Sequence, residues 1–263
     1  MTTITYAVGD SFTMLGRNLT RAIRSGLVFY TIGMPVVILL LFFGVLGPTL
    51  GAGITPGGTQ QDYLAFVVPG VLVFTIAGLM QLISIAVSQD MTEGIIARFR
   101  SMSISRGAVH AGHMWAGVIQ GAVALVIVVG LSVLMGFRPN ADFVDWLLIA
   151  ALLLGILIAL LWLSVAIGTV AKTVESASNL PMPFLLLPFL SAGFVPVDTL
   201  PSWLQWFTSY QPFTPWIESL RGLLLGTPIS TLNAVLAVVW CVVLAVAGYA
   251  WSRYLYARKS VRG

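Results

Sequence analysis

Residues Trp146 to Val170 read WLLIAALLLGILIALLWLSVAIGTV, twenty-five residues without one charged side chain. At 1.5 Å of rise per residue, a helix of that length is about 37 Å long, more than the ~30 Å hydrocarbon core of a bilayer. It has no polar face to give to water, so it is not the surface helix of a soluble domain. Working outward, five further stretches are read as spans: Val28 to Leu46, Tyr63 to Val87, Met114 to Met135, Leu180 to Val195, and Thr231 to Trp251. The one from Leu180 is short and holds Pro181, Pro183 and Pro188. It is therefore expected to be kinked, or extended on its outer side by a segment that dips back into the membrane.

Composition agrees. The 263 residues are 58% hydrophobic and 8% charged, more apolar surface than one water-soluble core can hide. An outer-membrane barrel would alternate apolar and polar residues in segments of roughly ten, whereas these runs are continuous. The expected class is an all-α integral membrane protein with six transmembrane helices. Cys241 is the one cysteine, inside the last apolar run, and reads as a small packing residue. The first apolar run is too long for the core of a secretory signal, which predicts that it stays in the mature protein.

Lys and Arg sort sharply between the two sides. Arg17, Arg21 and Arg24 precede the first span, Arg98, Arg100 and Arg106 follow the second, Lys172 follows the fourth, and Arg253, Arg258, Lys259 and Arg262 follow the sixth. Only Arg138 and Arg221 fall on the other side. The positive-inside bias then predicts an inner-membrane, multi-pass chain with both termini cytoplasmic. The net charge of +4 reflects this bias and acidic lipid headgroups rather than nucleic acid.

Between Val8 and Arg24 the period is helical: Val8, Phe12, Leu15, Leu19 and Ile23 share one face, and Asp10, Arg17, Arg21 and Arg24 lie opposite. That predicts a helix lying in the cytoplasmic interface. Residues 89–106, QDMTEGIIARFRSMSISR, set Asp90, Glu93, Arg98, Arg100 and Arg106 around Ile95, Ile96, Phe99 and Met102. A short amphipathic helix able to dock onto another protein is expected there. The outer segment Pro196 to Ser230 carries Trp203, Trp206, Phe207, Tyr210, Phe213 and Trp216, rings suited to the water–membrane boundary. Two short helices broken at Pro212 and Pro215 are expected, partly re-entering the bilayer. Glu218 and Arg221 stand three apart and can pair on one face, as an outer gate or as a structural pair.

There is no Gly-Lys dipeptide, hence no phosphate-cradling P-loop, and ATP chemistry is not expected of this chain. His110 and His113 lack the carboxylate partners of a metal site in sequence and read as interfacial anchors; Asp142 and Asp145 read as a solvated turn. The spans hold almost no ionisable groups, which argues against a proton- or sodium-coupled carrier. What they offer is aromatic and neutral polar surface: Phe66, Phe74 and Gln81 on the second span, and Phe184, Phe189 and Phe194 on the fifth. Such surface suits a bulky amphipathic or lipid-like substrate, and equally suits ordinary packing. Gly44, Gly70, Gly78 and Gly130 read as sites of close helix contact.

Three stretches carry a resemblance: FVVPG at Phe66 to Gly70, EGIIARFRSMSISR from Glu93, and SAGFVPVDTLPSWLQWFTSYQPFTPWIESLRGLLLG from Ser191. On them the chain resembles the ABC type 2 transporter permeases, close to the daunorubicin- and doxorubicin-resistance exporters of actinobacteria. The resemblance implies one permease domain over residues 1–263, with an interfacial helix (1–26), spans at 28–46, 63–87, 114–135, 146–170, 180–195 and 231–251, a coupling helix (89–106), a re-entrant outer segment (196–230) and a cytoplasmic tail (252–263). It implies that Glu93, Gly94, Arg98, Phe99, Arg100 and Arg106 contact an ATPase subunit, present in two copies, which uses ATP and Mg; this chain binds no cofactor itself. It also implies a second permease copy or a related permease, and export of a drug-like or lipid-like compound along the second and fifth spans. Ser103 stands where members often carry proline, a departure at the end of the coupling helix. The alternatives are export of a glycolipid or polysaccharide by the same architecture, a membrane-embedded lipid-modifying enzyme, and an assembly subunit.

Overall fold

The computed structural model describes residues 3–48, 58–92, 108–195 and 197–261, and all regular structure among them is helical. Ten α-helices follow in order: α1 Thr3–Arg24, α2 Leu27–Leu41, α3 Gln60–Thr92, α4 Ala108–Leu134, α5 Phe143–Val170, α6 Val174–Asn179, α7 Met182–Leu186, α8 Ser202–Tyr210, α9 Phe213–Leu225 and α10 Thr231–Val261. A π-helical turn, Phe42–Leu46, extends α2, and a 3₁₀ turn, Leu187–Leu190, extends α7. Among the described residues, five segments are long and apolar enough to cross a membrane: Phe29–Leu46, Gln60–Thr92, Val109–Leu134, Phe143–Val170 and Thr231–Leu255.

The most buried is α3, with Val67 through Ala77 all out of reach of solvent. Small residues bring its neighbours close. A Cβ on Gly168 of α5 would lie 2.5 Å from the Ser84 carbonyl oxygen, and the Ser164 hydroxyl donates to the Met80 carbonyl at 2.5 Å. Against the other side of α5 lies α10, where a Cβ on Gly248 would meet the Leu163 amide at 2.6 Å. The lipid-directed faces are apolar and exposed, as Val235, Val238, Val242 and Val246 are on α10. That inversion of the soluble pattern is what a hydrocarbon solvent requires.

The sequence places a single span at Leu180 to Val195; the structure divides that stretch. After the Thr173–Ser176 capping box come α6, α7 and the 3₁₀ turn, Pro181 acting as the N-cap of α7. Each proline removes an amide donor, so short pieces replace one long helix. The pieces nevertheless track α3 in antiparallel sense. Ser88 bonds Thr173, Gln81 bonds Ser178, Phe74 meets Phe189, and Gly70 abuts Gly193. From Ser88 to Gly70 this is about 27 Å of helix at 1.5 Å per residue.

The bundle has two distinct ends. At one end lie α1, the ends of α3 and α5, the start of α4 and the end of α10, joined by contacts of Asp90 and His110. At the other end lie the starts of α3, α5 and α10 together with α9. Between α8 and α9 the chain breaks at Gln211–Pro212 and not also at Pro215. Pro215 falls in the first turn of α9, where a missing amide costs no intrahelical bond. Within the bundle, α9 is sunk with Phe213, Trp216, Ile217 and Leu220 fully buried, whereas α8 leaves Trp203 and Trp206 exposed.

The amphipathic reading of α1 needs one refinement. Ile23 of its apolar face is exposed, whereas Met14, Asn18 and Ala22, spaced four apart, are buried against the bundle. Gly112 of α4 makes the approach possible: a Cβ there would lie 2.6 Å from Met14 Cβ. Of the glycines read as contact sites, Gly70 is one; a Cβ on Gly44 or Gly130 would meet open space.

Candidate functional site

The six residues carried by the coupling-helix resemblance, Glu93, Gly94, Arg98, Phe99, Arg100 and Arg106, lie outside the described residues. The helix that leads into them does not. In the last turn of α3, Asp90 is 1% exposed and forms ion pairs with Arg17 and, at 2.5 Å, Arg21 of α1. His113 of α4 brings Nε2 to 3.0 Å from its Oδ2. Arg21 also donates to the Gln89 side chain at 3.1 Å. A buried carboxylate is tolerated only when its charge and lone pairs are matched, and here three side chains from two other helices match them. His110, one helical turn before His113, reaches the Ser252 hydroxyl of α10 at 3.1 Å and the Thr169 hydroxyl of α5 at 3.4 Å. Both histidines are buried, so they are internal ties rather than interfacial anchors.

Halfway along α3, Phe74 meets Phe189 edge-on with centroids 5.3 Å apart. Phe189 stacks on Phe194 at 4.9 Å, and Phe42, at the end of α2, closes on Phe194 at 4.6 Å. The structure therefore brings three of the six sequence-selected path residues into one aromatic group. Gln81 does not join it, because its amide donates to the Ser178 carbonyl at 2.9 Å and hydroxyl at 3.2 Å. Phe184 is half-buried at the edge of the core. Phe66 lies further along, beneath Arg221. Between α2, α3 and α7 runs a cleft of about 170 Å³, with Phe74, Gln81, Thr31, Thr75, Met34 and Leu185 in its wall. An apolar wall with a few hydroxyls and one amide can hold an amphipathic molecule.

At the opposite end, Arg221 is the counterpart of Asp90. It pairs with Glu218 one turn earlier on α9. Its other guanidinium nitrogen donates to the Ala192 carbonyl at 2.6 Å and the Phe66 carbonyl at 3.0 Å. Its carbon sits 4.0 Å from the centroid of the Phe66 ring. Planarity and a fork of donors allow one side chain to serve a carboxylate, two carbonyls and a ring together. Arg221 thus ties α9, the start of α3 and the loop after the 3₁₀ turn.

Reading the sequence found the Glu218–Arg221 pair but missed the Asp90 cluster and Phe42. A signal existed for the first. Asp90 follows a 25-residue apolar run, and Arg17 and Arg21 lie four apart on one face of an adjoining helix. No periodicity marks Phe42, whose ring partners Phe189 and Phe194 lie about 150 residues away in the chain.

A bundle of long apolar helices, tied by a buried ionic cluster at one end and a partly buried ion pair at the other, defines a multi-pass membrane protein. The chain belongs to the ABC-2 type transporter family, whose model matches residues 10–225. It is similar to the daunorubicin resistance ABC transporter permease protein DrrB1 of Streptomyces coeruleorubidus, 29% identical over 197 residues, 74% of this chain and 67% of that protein. It is also similar to the probable doxorubicin resistance ABC transporter permease protein DrrC of Mycobacterium tuberculosis, in two strains, 27% identical over 246 residues, 91% of this chain and 86% of that protein. It is therefore an ABC-2 permease related to drug-resistance exporters.

Proposed function

We propose that this chain is the permease subunit of an ATP-driven exporter that moves a hydrophobic or amphipathic compound outward. Two separate ATPase subunits drive it, using ATP and Mg, and a second permease copy completes the path. The Asp90 end faces the cytoplasm, as the basic residues Arg17, Arg21, Lys172 and Arg253 there favour. The stretch from Thr173 to Phe194 is the sixth crossing, and the α8–α9 segment dips into the outer leaflet.

One observation carries the reading. Helix α3 runs for 33 residues, about 50 Å at 1.5 Å per residue; it carries Asp90 at one end, Phe74 halfway along with no proline between them, and Phe66 beyond Pro69. The coupling segment from Glu93 to Arg106 follows Thr92 directly in sequence, so a push on it is delivered to Asp90 and along a rigid rod to the aromatic cleft. The buried tie to Arg17, Arg21 and His113 makes α1 and α4 move with it. The aromatic and hydroxyl-bearing wall of the cleft favours a drug-like or lipid-like molecule over a polysaccharide.

The test is reconstitution of the chain with a co-purified P-loop ATPase in vesicles. ATP-dependent movement of a planar aromatic amphiphile is expected with the pair and absent with the permease alone. Arg98→Ala is expected to leave membrane insertion intact and cut substrate-stimulated ATP turnover at least tenfold. Nucleotide-free movement by this chain alone, or full turnover in Arg98→Ala, overturns the proposal.

A further inference from the structure

On the side of α5 away from α3, a second and larger hollow of about 390 Å³ lies between α5, α9 and α10. That is within the range of roughly 300–1,000 Å³ of sites that hold small organic molecules. Its wall is almost wholly apolar, with Leu152, Gly155, Leu223, Ala237 and Val242 among the residues that form it. Ser219 lines it too, is 4% exposed, and has a hydroxyl without a hydrogen-bond partner. Buried hydroxyls are almost always partnered, so this one points to an acceptor supplied by whatever occupies the hollow.

Position narrows the occupant. The hollow draws on Leu148 to Gly155 of α5 and Ala234 to Val242 of α10. At 1.5 Å per residue these lie about 5–18 Å from the helix starts at the Arg221 end. It therefore sits within one leaflet of a ~30 Å hydrocarbon layer. Leu148, Val238 and Val242 at its mouth are exposed on the lipid-directed surface. Ser219 is about a turn and a half from Leu224, whose carbonyl accepts the Asn140 amide at the end of the bundle. The hydroxyl is thus close to the depth at which lipid ester groups begin.

We propose that this hollow is a binding site for one acyl chain of a phospholipid from the leaflet at the Arg221 end, whose ester carbonyl accepts the hydrogen bond of Ser219. The apolar wall takes the chain, and the carbonyl completes the only buried hydroxyl in that wall. Helix α9 presents Ser219 to the hollow and uses Arg221 to hold α3, so a bound chain braces the helix on which the Arg221 tie is built. The inference needs only that the chain is embedded in a membrane and does not rest on the transport reading.

The test uses membranes containing the full chain and a phospholipid with a diazirine midway along one acyl chain. After illumination, adducts are mapped by peptide mass spectrometry. Adducts on the hollow-lining residues of α5 and α10 are expected at five or more times the level on Val123 and Val126 of α4, which are equally exposed to lipid. Ala151 and Ala234 are exposed residues at the edge of the hollow. Ala151→Phe and, independently, Ala234→Phe place a ring in it and are expected to lower those adducts to below a third. Ser219→Ala is expected to lower them roughly two- to tenfold, the worth of one hydrogen bond. Even labelling of all lipid-directed helices, or labelling unchanged by both filling variants, overturns the site. A Cys241–Cys241 disulfide between two chains with no adducts also overturns it, because a second copy then covers the face.

Discussion

Asp90, buried, and Arg221, mostly buried, are single charges near opposite ends of the bundle, and they are neutralised in different ways. Asp90 draws every partner from other helices, α1 and α4. Arg221 draws its carboxylate from its own helix and the rest of its partners from backbone carbonyls and one ring. Side chains of α1 and α4 converging on Asp90 hold three helices to one another, whereas the Arg221 fork grips backbone carbonyls, one of which, Ala192, adjoins the close Gly70–Gly193 contact. The difference teaches that a charge can either clamp moving parts or pin a static one, depending on where its partners are anchored. The Asp90 end is built as a clamp and the Arg221 end as a pin.

The strongest way to break the comparison is Asp90→Ala. It takes this carboxylate from the buried His113 and from two arginines, each about a third exposed. Breaking a buried pair from one side costs about 3–5 kcal/mol, and the arginines' access to water puts the loss toward the lower figure. Thermal unfolding in detergent is expected to drop by several degrees, and ATP-driven transport by tenfold or more. Asp90→Glu is expected to restore part of both. Transport unchanged in Asp90→Ala sinks the clamp.

Next comes Arg221→Met, which keeps the stem and removes the fork. Two carbonyls lose their donor and Glu218, a third exposed, turns toward water, so about 2–3 kcal/mol of stability is expected to go. If the pin is static, the loss appears in unfolding temperature while the ratio of transport to ATP turnover in the surviving protein holds. A changed ratio would make Arg221 a gate. Arg221→Lys is not conservative here, because a point ammonium cannot reach carboxylate, carbonyls and ring at once.

Much of this was legible without coordinates, and the rest was hidden for identifiable reasons. The uncharged run from Trp146 to Val170 dictates a helix long enough to span, and the crowd of prolines from Pro181 to Pro188 forecasts the broken stretch beside α3. The depth of α9 was half visible: its aromatics suit an interface, but only packing tells that Trp216 is fully buried with its indole N–H on the Ala237 carbonyl at 3.0 Å, while Trp203 is exposed. The Asp90 cluster joins positions 69 to 73 residues apart for its arginines, and no local period encodes such a pairing. The span boundary set at Val87 put Asp90 on the amphipathic helix of residues 89–106, on whose polar face a charge needs no explanation. Phe42 meets Phe189 and Phe194 across the bundle, a long-range pairing that an evenly apolar run does not announce.

A finer test lies between the two ends, where α3 meets the stretch after the 3₁₀ turn. A Cβ on Gly70 would lie 2.8 Å from the Gly193 carbonyl oxygen and 3.0 Å from its Cα, both backbone atoms that cannot swing aside. Gly70→Ala therefore forces the two segments apart, at about 1–3 kcal/mol. The cost falls beside the Ala192 carbonyl that Arg221 holds, so Gly70→Ala and Arg221→Met are expected to be non-additive in unfolding temperature. Gly70→Ala and Asp90→Ala, twenty residues apart on α3, are expected to add. Additivity in the first pair would mean that Arg221 and the glycine contact are not one pin.

The smallest effect sharpens the comparison most. Phe189→Ala removes the ring that touches Phe74, Phe194 and Phe42, between clamp and pin. Each aromatic pair contributes about 0.5–1.5 kcal/mol beyond area burial, yet Phe189 is only partly buried and its neighbours can close part of the gap. A stability loss of about 2 kcal/mol is expected, less than the ~3–5 kcal/mol of truncating a fully buried aromatic. If the group is packing alone, transport of every compound falls in step with folded protein. If it lines the path, bulky aromatic substrates lose several-fold more than small aliphatic ones at equal folded protein, because only the former use the ring. Relative rates for two substrates, measured in the same vesicles, cancel the stability term and decide between these outcomes.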